Sequence, residues 1–456
     1  MTIFSRRRVQ SMLDELAPVL DSEKRKELLE LLNHQTNVGQ ALSGEMELAL
    51  LWAIHLLGEM EVEPEWWGDS KRPDVVTDCF VPGKTAAIEI YATNTNSLSG
   101  EVEMDAIARQ IGKVASEAKA GAGDFLSYRF GETSGYENGI YFRRRLAPKG
   151  FLLDDDHKAA VTEWVASGQS ANTSLPLHAE DFDVVIMQHE NRQTCYHNFS
   201  SSMPAEAHCI SDNPLFMALK RKLEKGQLKT AAMGTLRILF VADVGSSLLN
   251  RVGRNSMPDH SNRTVSGEDI IKHFIGTYAH KVDAVVVFSP TIEQLAWQSN
   301  DPTGRKPKRW SVAMFATEAI PEIPESLERI TYLLPEPHYE GYQARSLFGQ
   351  GAFSPNNHGQ YLGITVTTNG KDNRTSIKFP ARLLLDLLAG RITEELFRNY
   401  HTSGGRNGDL FAHWLNQGKT ICGAEMAPRS IDEDDDHLIL HFADDPAARP
   451  FNLKEN

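Results

Sequence analysis

A glutamate inside an apolar run is the sequence feature that most constrains how this chain can fold. Residues 86–92 read AAIEIYA, and only Glu89 and Tyr91 interrupt the small and aliphatic side chains. An apolar run of this length predicts a buried strand. Because a carboxylate buried without a partner costs several kcal/mol, Glu89 needs a partner or a metal ion in the fold.

A second acid, Asp74, precedes the neighbouring predicted strand. Alternation in residues 74–80 predicts two faces, one with Val75, Thr77 and Cys79 and the other with Asp74, Val76, Asp78 and Phe80. The segment 81–84, VPGK, predicts the turn that closes a hairpin. Asp74 and Glu89 would then meet at one end of that hairpin, where two carboxylates can hold a hard divalent cation.

These residues resemble the motif of the PD-(D/E)xK nucleases, which is Pro-Asp, a spacer, and then an acid, any residue and lysine. Pro73-Asp74 and Glu89-Ile90 match it, and Tyr91 stands where the family has lysine. The resemblance covers residues 40–190 approximately. It implies a Mg²⁺- or Mn²⁺-dependent endonuclease in which Asp74, Glu89 and the main-chain carbonyl of Ile90 bind the metal.

The family also carries an acid on a helix before the hairpin. Ser43 is predicted to cap a helix through residues 44–58, which Gly58 ends. Glu45 and Glu47 would lie in its first turn, and the resemblance implies that one of them completes the metal shell, directly or through water. In the alternative interpretation, both residues only favour the positive end of the helix dipole.

Because Tyr91 stands at the lysine position, the sequence does not identify the catalytic cation. In an active enzyme of this family, the lysine orients the attacking water and offsets the charge that builds on phosphorus. A tyrosine hydroxyl donates a hydrogen bond but carries no positive charge at neutral pH. The chain is therefore an altered hydrolase, an enzyme with a cation from elsewhere, such as Lys71, Arg72 or Lys84, or a catalytically silent scaffold that binds nucleic acid or a partner.

A helix predicted over residues 104–118 offers one further candidate. Its apolar stripe consists of Met104, Ile107, Ile111 and Val114. At the angular spacing of a helix, Gln110 lies on the flank of this stripe, whereas Lys113 points away from it. Gln110 is therefore the predicted hydrogen-bond donor to a phosphate or to the metal shell.

A second α/β pattern begins at Leu236. The apolar strand RILFVADVG is followed by a helical segment and by a further apolar strand, VDAVVVF, over residues 282–288. Strand, helix and strand at this separation predict a parallel crossover. Ligands of such sheets bind at the carboxyl ends of the strands, so a nucleotide-handling enzyme centred on Asp243 is an alternative function.

These patterns predict an α/β protein. The expected organisation is an N-terminal helical segment (1–40), a restriction-endonuclease-like module with a mixed sheet and flanking helices (41–200, with an insertion at 120–180), a basic linker (201–235) and a C-terminal α/β domain with a parallel sheet core (236–456). We expect the last domain to recognise the target or to bind an activating protein partner. By analogy, this architecture resembles bacterial restriction or phage-defence effectors.

Composition limits the partners of the chain. The net charge of −14 over 456 residues argues against a broad grip on duplex DNA, since such binding depends on lysine and arginine. Basic segments at 143–145, 220–229 and 305–309 still favour a local path for DNA or RNA. Four scattered cysteines, no signal-like segment and no apolar stretch of about 18 residues predict a cytoplasmic protein outside the membrane; oligomeric state stays open.

Overall fold

The computed structural model divides the chain into two compact units. The smaller unit comprises residues 1–11, 293–307 and 343–456, and the larger unit comprises residues 12–292 and 308–342. The structure describes residues 3–33, 38–68, 71–93, 100–168, 172–190, 199–201, 206–228, 234–249, 252–253, 264–292, 308–318, 320, 322–337, 365–369, 374–394, 397–398, 410–432 and 436–444. Each helix in these segments is too short or too polar to span a bilayer.

The described residues form α-helices and β-strands with the following bounds. The helices are α1 (Arg6–Leu16), α2 (Ser22–Leu32), α3 (Val38–Leu57), α4 (Glu101–Ala118), α5 (Asp155–Ala166), α6 (Pro214–Lys225), α7 (Gly267–Tyr278), α8 (Glu325–Leu333), α9 (Ala381–Leu388) and α10 (Leu410–Asn416). The first strands are β1 (Met60–Val62), β2 (Val75–Val81), β3 (Lys84–Thr93), β4 (Leu126–Phe130), β5 (Glu132–Glu137), β6 (Ile140–Arg145), β7 (Ser174–Ala179) and β8 (Phe182–Gln188). The remaining strands are β9 (Phe199–Ser201), β10 (Leu236–Asp243), β11 (Ala284–Ile292), β12 (Lys308–Ala316), β13 (Thr365–Asn369), β14 (Arg374–Pro380), β15 (Lys419–Met426) and β16 (His437–Asp444).

A six-stranded mixed sheet in the order β1-β2-β3-β10-β11-β12 forms the centre of the larger unit. Strands β10 and β11 run parallel, as the strand-helix-strand pattern predicted. Strand β3 is also parallel to β10, and the other neighbours are antiparallel. Strand β10 is buried on both faces, as is typical of a strand between two parallel neighbours. Helices α6 and α7 cover the face that presents Val76, Ala87 and Leu239.

The predicted domain boundary at Leu236 is wrong. Strand β10 pairs with β3 along its whole length, from Leu236 opposite Ala86 to Asp243 opposite Thr93. Strand β3 is largely apolar, and its free edge needs a strand to pair with. That strand is β10, which follows about 140 residues later in the chain. Residues 236–292 therefore belong to the same sheet as the hairpin, and the segment taken for a linker contains helix α6.

The face alternation predicted for the first strand of the hairpin changes within β2. Val76 packs in the core with α6 and α7, whereas Phe80 contacts Phe240, with ring centroids 5.7 Å apart, beside Ser326 of α8. The β2–β3 register shifts between Thr77 and Val81. Strict alternation is not kept within this irregular stretch, so the shared face predicted for Val76 and Phe80 is wrong.

The excursion between β3 and β10 forms a second layer of structure. Strands β7, β8, β4 and β9 make a four-stranded sheet whose core includes Ile107, Ile111, Tyr128 and Phe182. Strand β8 pairs with β4 and not with a strand of the first sheet. Strands β5 and β6 form a separate two-stranded hairpin.

The described part of the smaller unit contains the sheet β13-β14-β16-β15. All of its described pairs are antiparallel. The parallel pairing predicted for residues 236–456 is present between β10 and β11, but these strands belong to the larger unit. The continuous apolar strands that suggested a parallel sheet belong to the larger unit. The strands left to the smaller unit bury alternate residues, such as Ile377 and Phe379, which suits a sheet with one covered face.

A buried cluster of carboxylates and lysines

The two acids of the hairpin lie together, as predicted. The pairing of Val75 with Ile88 places Asp74 opposite Glu89. Oδ2 of Asp74 accepts a hydrogen bond of 2.6 Å from the Ile90 main-chain N–H. Glu89 is 0% exposed and Asp74 7% exposed, so the carboxylates lie inside the larger unit rather than on its surface.

Lys222 supplies the cation beside these acids. Its Nζ lies 3.0 Å from Glu89 Oε2 and 3.7 Å from Asp74 Oδ2. Helix α6 presents it because Leu215 and Leu219 form a buried stripe, and Lys222 follows Leu219 by three residues on the same face. A lysine thus lies beside Glu89, although it comes from α6 and not from the strand that carries Tyr91.

The charges of this group are strongly coupled. Burial, followed by the negative charge of Asp74, raises the pKa of Glu89 to about 8, and the Lys222 ammonium acts in the opposite direction. Burial disfavours the charged form of Lys222, but Asp74 and Glu89 outweigh this effect and hold its pKa above the usual range. Lys222 therefore stays charged at every pH at which the carboxylates ionise.

Helix α3 adds Glu47 to the cluster. Burial, followed by the charge of Asp74, raises the pKa of Glu47. Lys24 of α2 lies with its Nζ 2.7 Å from Glu47, 2.5 Å from Glu63 and 3.3 Å from Glu27. Two buried lysines therefore flank the acids, Lys222 on the side of Glu89 and Lys24 on the side of Glu47.

The predicted start of α3 at Ser43 is wrong, because the helix begins at Val38 and Ser43 lies inside it. Glu45 and Glu47 consequently lie beyond the first turn, so neither interacts with the helix N-terminus as the alternative interpretation required. Both side chains are largely buried. Since two residues correspond to about 200° around a helix, Glu45 points to a different side, and Glu47 is the one coupled to Asp74.

Gln110 does not reach the cluster. Its side-chain amide donates to the Phe151 carbonyl at 2.9 Å and accepts from the Leu153 N–H at 3.1 Å. Helix α4 packs on the four-stranded sheet of the excursion, so Gln110 faces the chain segment before α5. The predicted contact with a phosphate or with the metal shell is therefore wrong, and the amide fixes that segment instead.

Tyr91 packs in the core, and Asp243 makes hydrogen bonds within a turn. Tyr91 lies on the same face of β3 as Glu89 and packs against the core formed with α6 and α7. Asp243 Oδ1 accepts hydrogen bonds from the N–H groups of Gly245 and Ser246 at 2.9 and 2.7 Å. The Asp243 carboxylate thus shapes the turn after β10, which argues against the nucleotide-handling alternative.

Sequence reasoning assigned Lys222 to a basic surface run, together with Lys220 and Arg221. The amphipathic spacing of α6 was the available signal, because Lys222 continues the stripe of Leu215 and Leu219 whereas its neighbours do not. The earlier candidates for a substitute cation differ: Arg72 donates to the carbonyls of Gly68 and Glu63. Of the basic segment at 305–309, residues 305–307 lie outside the described residues.

The donor chemistry of the cluster fits a hard divalent cation. As it stands, no three His, Cys, Asp or Glu side chains among the described residues are arranged to hold a metal ion. However, Mg²⁺ is commonly held by one or two carboxylates, and water and substrate phosphate complete its shell. Asp74 and Glu89 supply two, and Oε1 of Glu89 is buried with no hydrogen-bond partner among the described residues.

Comparisons with known proteins add no relative to this description. Neither the protein-family models, nor the curated proteins, nor the solved structures contain a match to the chain. The resemblance to the PD-(D/E)xK nucleases therefore depends on the chain itself. It depends on Pro73-Asp74, on Glu89-Ile90, on the helix-borne Glu47 and on Lys222.

Proposed function

We propose that the protein is a Mg²⁺- or Mn²⁺-dependent nuclease that hydrolyses phosphodiester bonds of DNA or RNA at Asp74, Glu89 and Lys222. The observation that carries the proposal is the 3.0 Å contact between Lys222 Nζ and Glu89 Oε2. The motif has an acid followed two residues later by lysine, and Tyr91 stands at the lysine position here. Lys222 provides the ammonium beside Glu89 from another part of the chain. A cation and two carboxylates at one point suit phosphodiester hydrolysis.

Each side chain has a distinct role in this proposal. Asp74 and Glu89 would hold the metal ion with the main-chain carbonyl of Ile90, and Glu47 would complete the shell directly or through water. The bound metal supplies a water of lowered pKa and a positive charge for the developing phosphorane. Lys222 orients the attacking water and offsets the charge on the non-bridging oxygens.

The alternative of a catalytically silent scaffold depends on the absence of lysine at Tyr91. Lys222 weakens that argument, because the ammonium lies beside Glu89 although it comes from α6. Divalent-metal binding without turnover on any nucleic acid would favour the scaffold. A role in restriction or phage defence, with a protein partner on the C-terminal part, stays a proposal by analogy.

Cleavage of labelled single- and double-stranded DNA and RNA in Mg²⁺ or Mn²⁺ tests the proposal. Asp74→Asn and Glu89→Gln preserve side-chain shape and are expected to abolish cleavage. Asp78→Asn is the matched control, because Asp78 lies on the same strand and is exposed. Cleavage that survives both active-site substitutions would refute the site, and an inert wild-type protein that still binds Mn²⁺ would favour the scaffold.

A further inference from the structure

The lysines of helix α6 differ in their partners. Lys222 pairs with Glu89 inside the larger unit, and Lys220 Nζ lies 3.8 Å from Glu224 on the outer side of the helix. Lys225, in the last turn, has neither an ion pair nor a hydrogen bond from its ammonium to any described residue. Its side chain is exposed. The Lys225 ammonium is therefore available to an anionic ligand.

Lys225 lies on the same side of α6 as Lys222. Three residues correspond to about 300° of rotation, so the two side chains are neighbours on the helix surface. Burial and the negative charge of Asp74 raise the pKa of Glu89, whereas the ammonium groups of Lys222 and Lys225 lower it. Lys225 thus acts electrostatically on Glu89 although it lies at the protein surface.

The two lysines extend from solvent to the buried acids. The side chain of Glu89 is 1% exposed and that of Lys222 is 18% exposed, whereas Lys225 is an exposed residue. Exposure therefore increases stepwise along this side of the last turn of α6. The cluster reaches solvent here, so this is the side from which a phosphodiester can approach Lys222.

Contacts just after the helix hold its last turn beside the segment that precedes Asp74. The Gln227 carbonyl accepts a hydrogen bond of 2.8 Å from Trp67 Nε1, and the Gln227 side-chain amide donates to the Arg72 carbonyl at 3.0 Å. Gln227 follows Lys225 by two residues, and Arg72 precedes Asp74 by two. Two hydrogen bonds thus connect the position of Lys225 to that of the metal-binding acid.

The charges of this margin have a small positive excess. Arg72 donates to two main-chain carbonyls, and with the exposed Lys71 and with Lys225 it makes three cations. The exposed acids described between residues 61 and 72 are Glu61, which accepts a hydrogen bond from an indole N–H, and Glu65. An excess of this size does not hold a nucleic-acid strand by itself. It suits a single phosphate contact beside a bound metal ion.

The spacing of the two lysines suits two consecutive phosphates of one strand. Three residues of helix advance by about 4.5 Å, and successive phosphates of a DNA strand advance by about 3.4 Å along its axis. We propose that Lys225 binds the phosphate next to the scissile one and positions the strand for hydrolysis at Asp74 and Glu89. This inference rests on the proposed function, for which it names a substrate-positioning residue.

Single-turnover cleavage in Mn²⁺, measured over a range of protein and salt concentrations, tests the role of Lys225. The labelled substrates are single- and double-stranded DNA and RNA. At ~0.1 M salt, Lys225→Met should raise the protein concentration at half-maximal rate about 5- to 10-fold and lower the slope of log affinity against log salt by about 0.7–0.9. The maximal rate should stay within about twofold, because a remote phosphate contact stabilises substrate and transition state alike.

Two variants are the controls. Lys225→Arg keeps the charge and should retain the affinity of wild type. Lys220→Met removes a lysine of the same helix that already pairs with Glu224, and it should leave both the affinity and the salt slope unchanged. The same four proteins are titrated by fluorescence anisotropy in EDTA, where nucleic-acid binding is measured without cleavage.

The outcomes separate this inference from the proposed function. Cleavage by Lys225→Met with the half-maximal concentration and salt slope of wild type would overturn the inference while the nuclease proposal stands. An equal loss of affinity in Lys220→Met, or a loss confined to the maximal rate, would also overturn it. If wild type binds nucleic acid without cleaving it and Lys225→Met lowers the salt slope, the phosphate contact is supported and the nuclease proposal fails alone. Absence of both cleavage and binding in wild type would overturn both.

Discussion

Moving the lysine back to its motif position tests whether Lys222 supplies the charge that Tyr91 lacks. Lys222→Met removes the ammonium and retains most of the side-chain length. Adding Tyr91→Lys returns an ammonium to β3, two residues beyond Glu89 and on the same face of the strand. If Lys222 only stabilises the fold, the added lysine should not restore cleavage. If its charge takes part in catalysis, the added lysine should restore part of the cleavage rate.

The expected magnitudes follow from the geometry of the pair. Lys222→Met removes a preorganised cationic donor, and loss of one such donor lowers the rate about 100- to 1,000-fold. It also breaks a buried 3.0 Å charge-assisted bond to Glu89, which should lower the free energy of unfolding by about 1.5–3 kcal/mol. The double variant should regain about 10-fold or more, since the charge returns in a less preorganised position.

Single-turnover cleavage in Mn²⁺, with protein in excess over labelled substrate, measures these rates without interference from product release. Lys220→Met is the matched control, because Lys220 lies on the outer side of α6 and pairs there with Glu224. Thermal melting shows whether each variant is folded. Wild-type cleavage by Lys222→Met, or a folded and metal-binding double variant that regains nothing, would refute the assignment of Lys222.

Three further predictions concern the surroundings of the site. Lys24→Met leaves Glu47 and Glu63 without their buried cation and should lower the free energy of unfolding in urea by about 3 kcal/mol, whereas Lys26→Met on the outer surface of α2 should have little effect. Burial raises the folded-state pKa of Glu89 to about 8, which is above its unfolded value. The free energy of unfolding of the metal-free protein, measured in urea, should therefore fall as the pH rises from 5 to about 8. The same dependence of stability on pH in Glu89→Gln would contradict this. Gln110→Ala should destabilise the protein by about 1–3 kcal/mol, and any accompanying change in Mn²⁺ affinity would count against its structural role.

The hairpin was predictable because its determinants are local. Alternation before the turn and the apolar run after it specify β2 and β3. The register at the turn, with Val81 opposite Lys84, would place Asp74 opposite Tyr91, and the register shift in β2 brings it opposite Glu89 instead. The register shift between Thr77 and Val81 was not predictable, since nothing in the strand composition marks it. Phe80 consequently joins a different face from the one that strict alternation assigns to it.

The partner of β3 depends on contacts that sequence patterns do not contain. Both β8 and β10 are apolar strands after the hairpin, and either could cover the free edge of β3. The structure uses β10, which is more continuously apolar and is buried on both faces, whereas β8 buries alternate residues. The expected module ended at residue 200, which left β10 out of the hairpin's sheet and produced the wrong domain boundary at Leu236.

The position of Lys222 shows how a charge that a motif lacks along the chain can be present in space. The proposed mechanism needs a positive charge beside Glu89 Oε2, and electrostatics does not depend on which element carries that charge. Helix α6 packs against the face of the sheet that presents Glu89, so a residue on its buried stripe reaches that point. Tyr91 is then free to pack in the core with α6 and α7. A search for similar displaced lysines should therefore examine amphipathic helices that have a cation within the apolar stripe, rather than the strand residue alone.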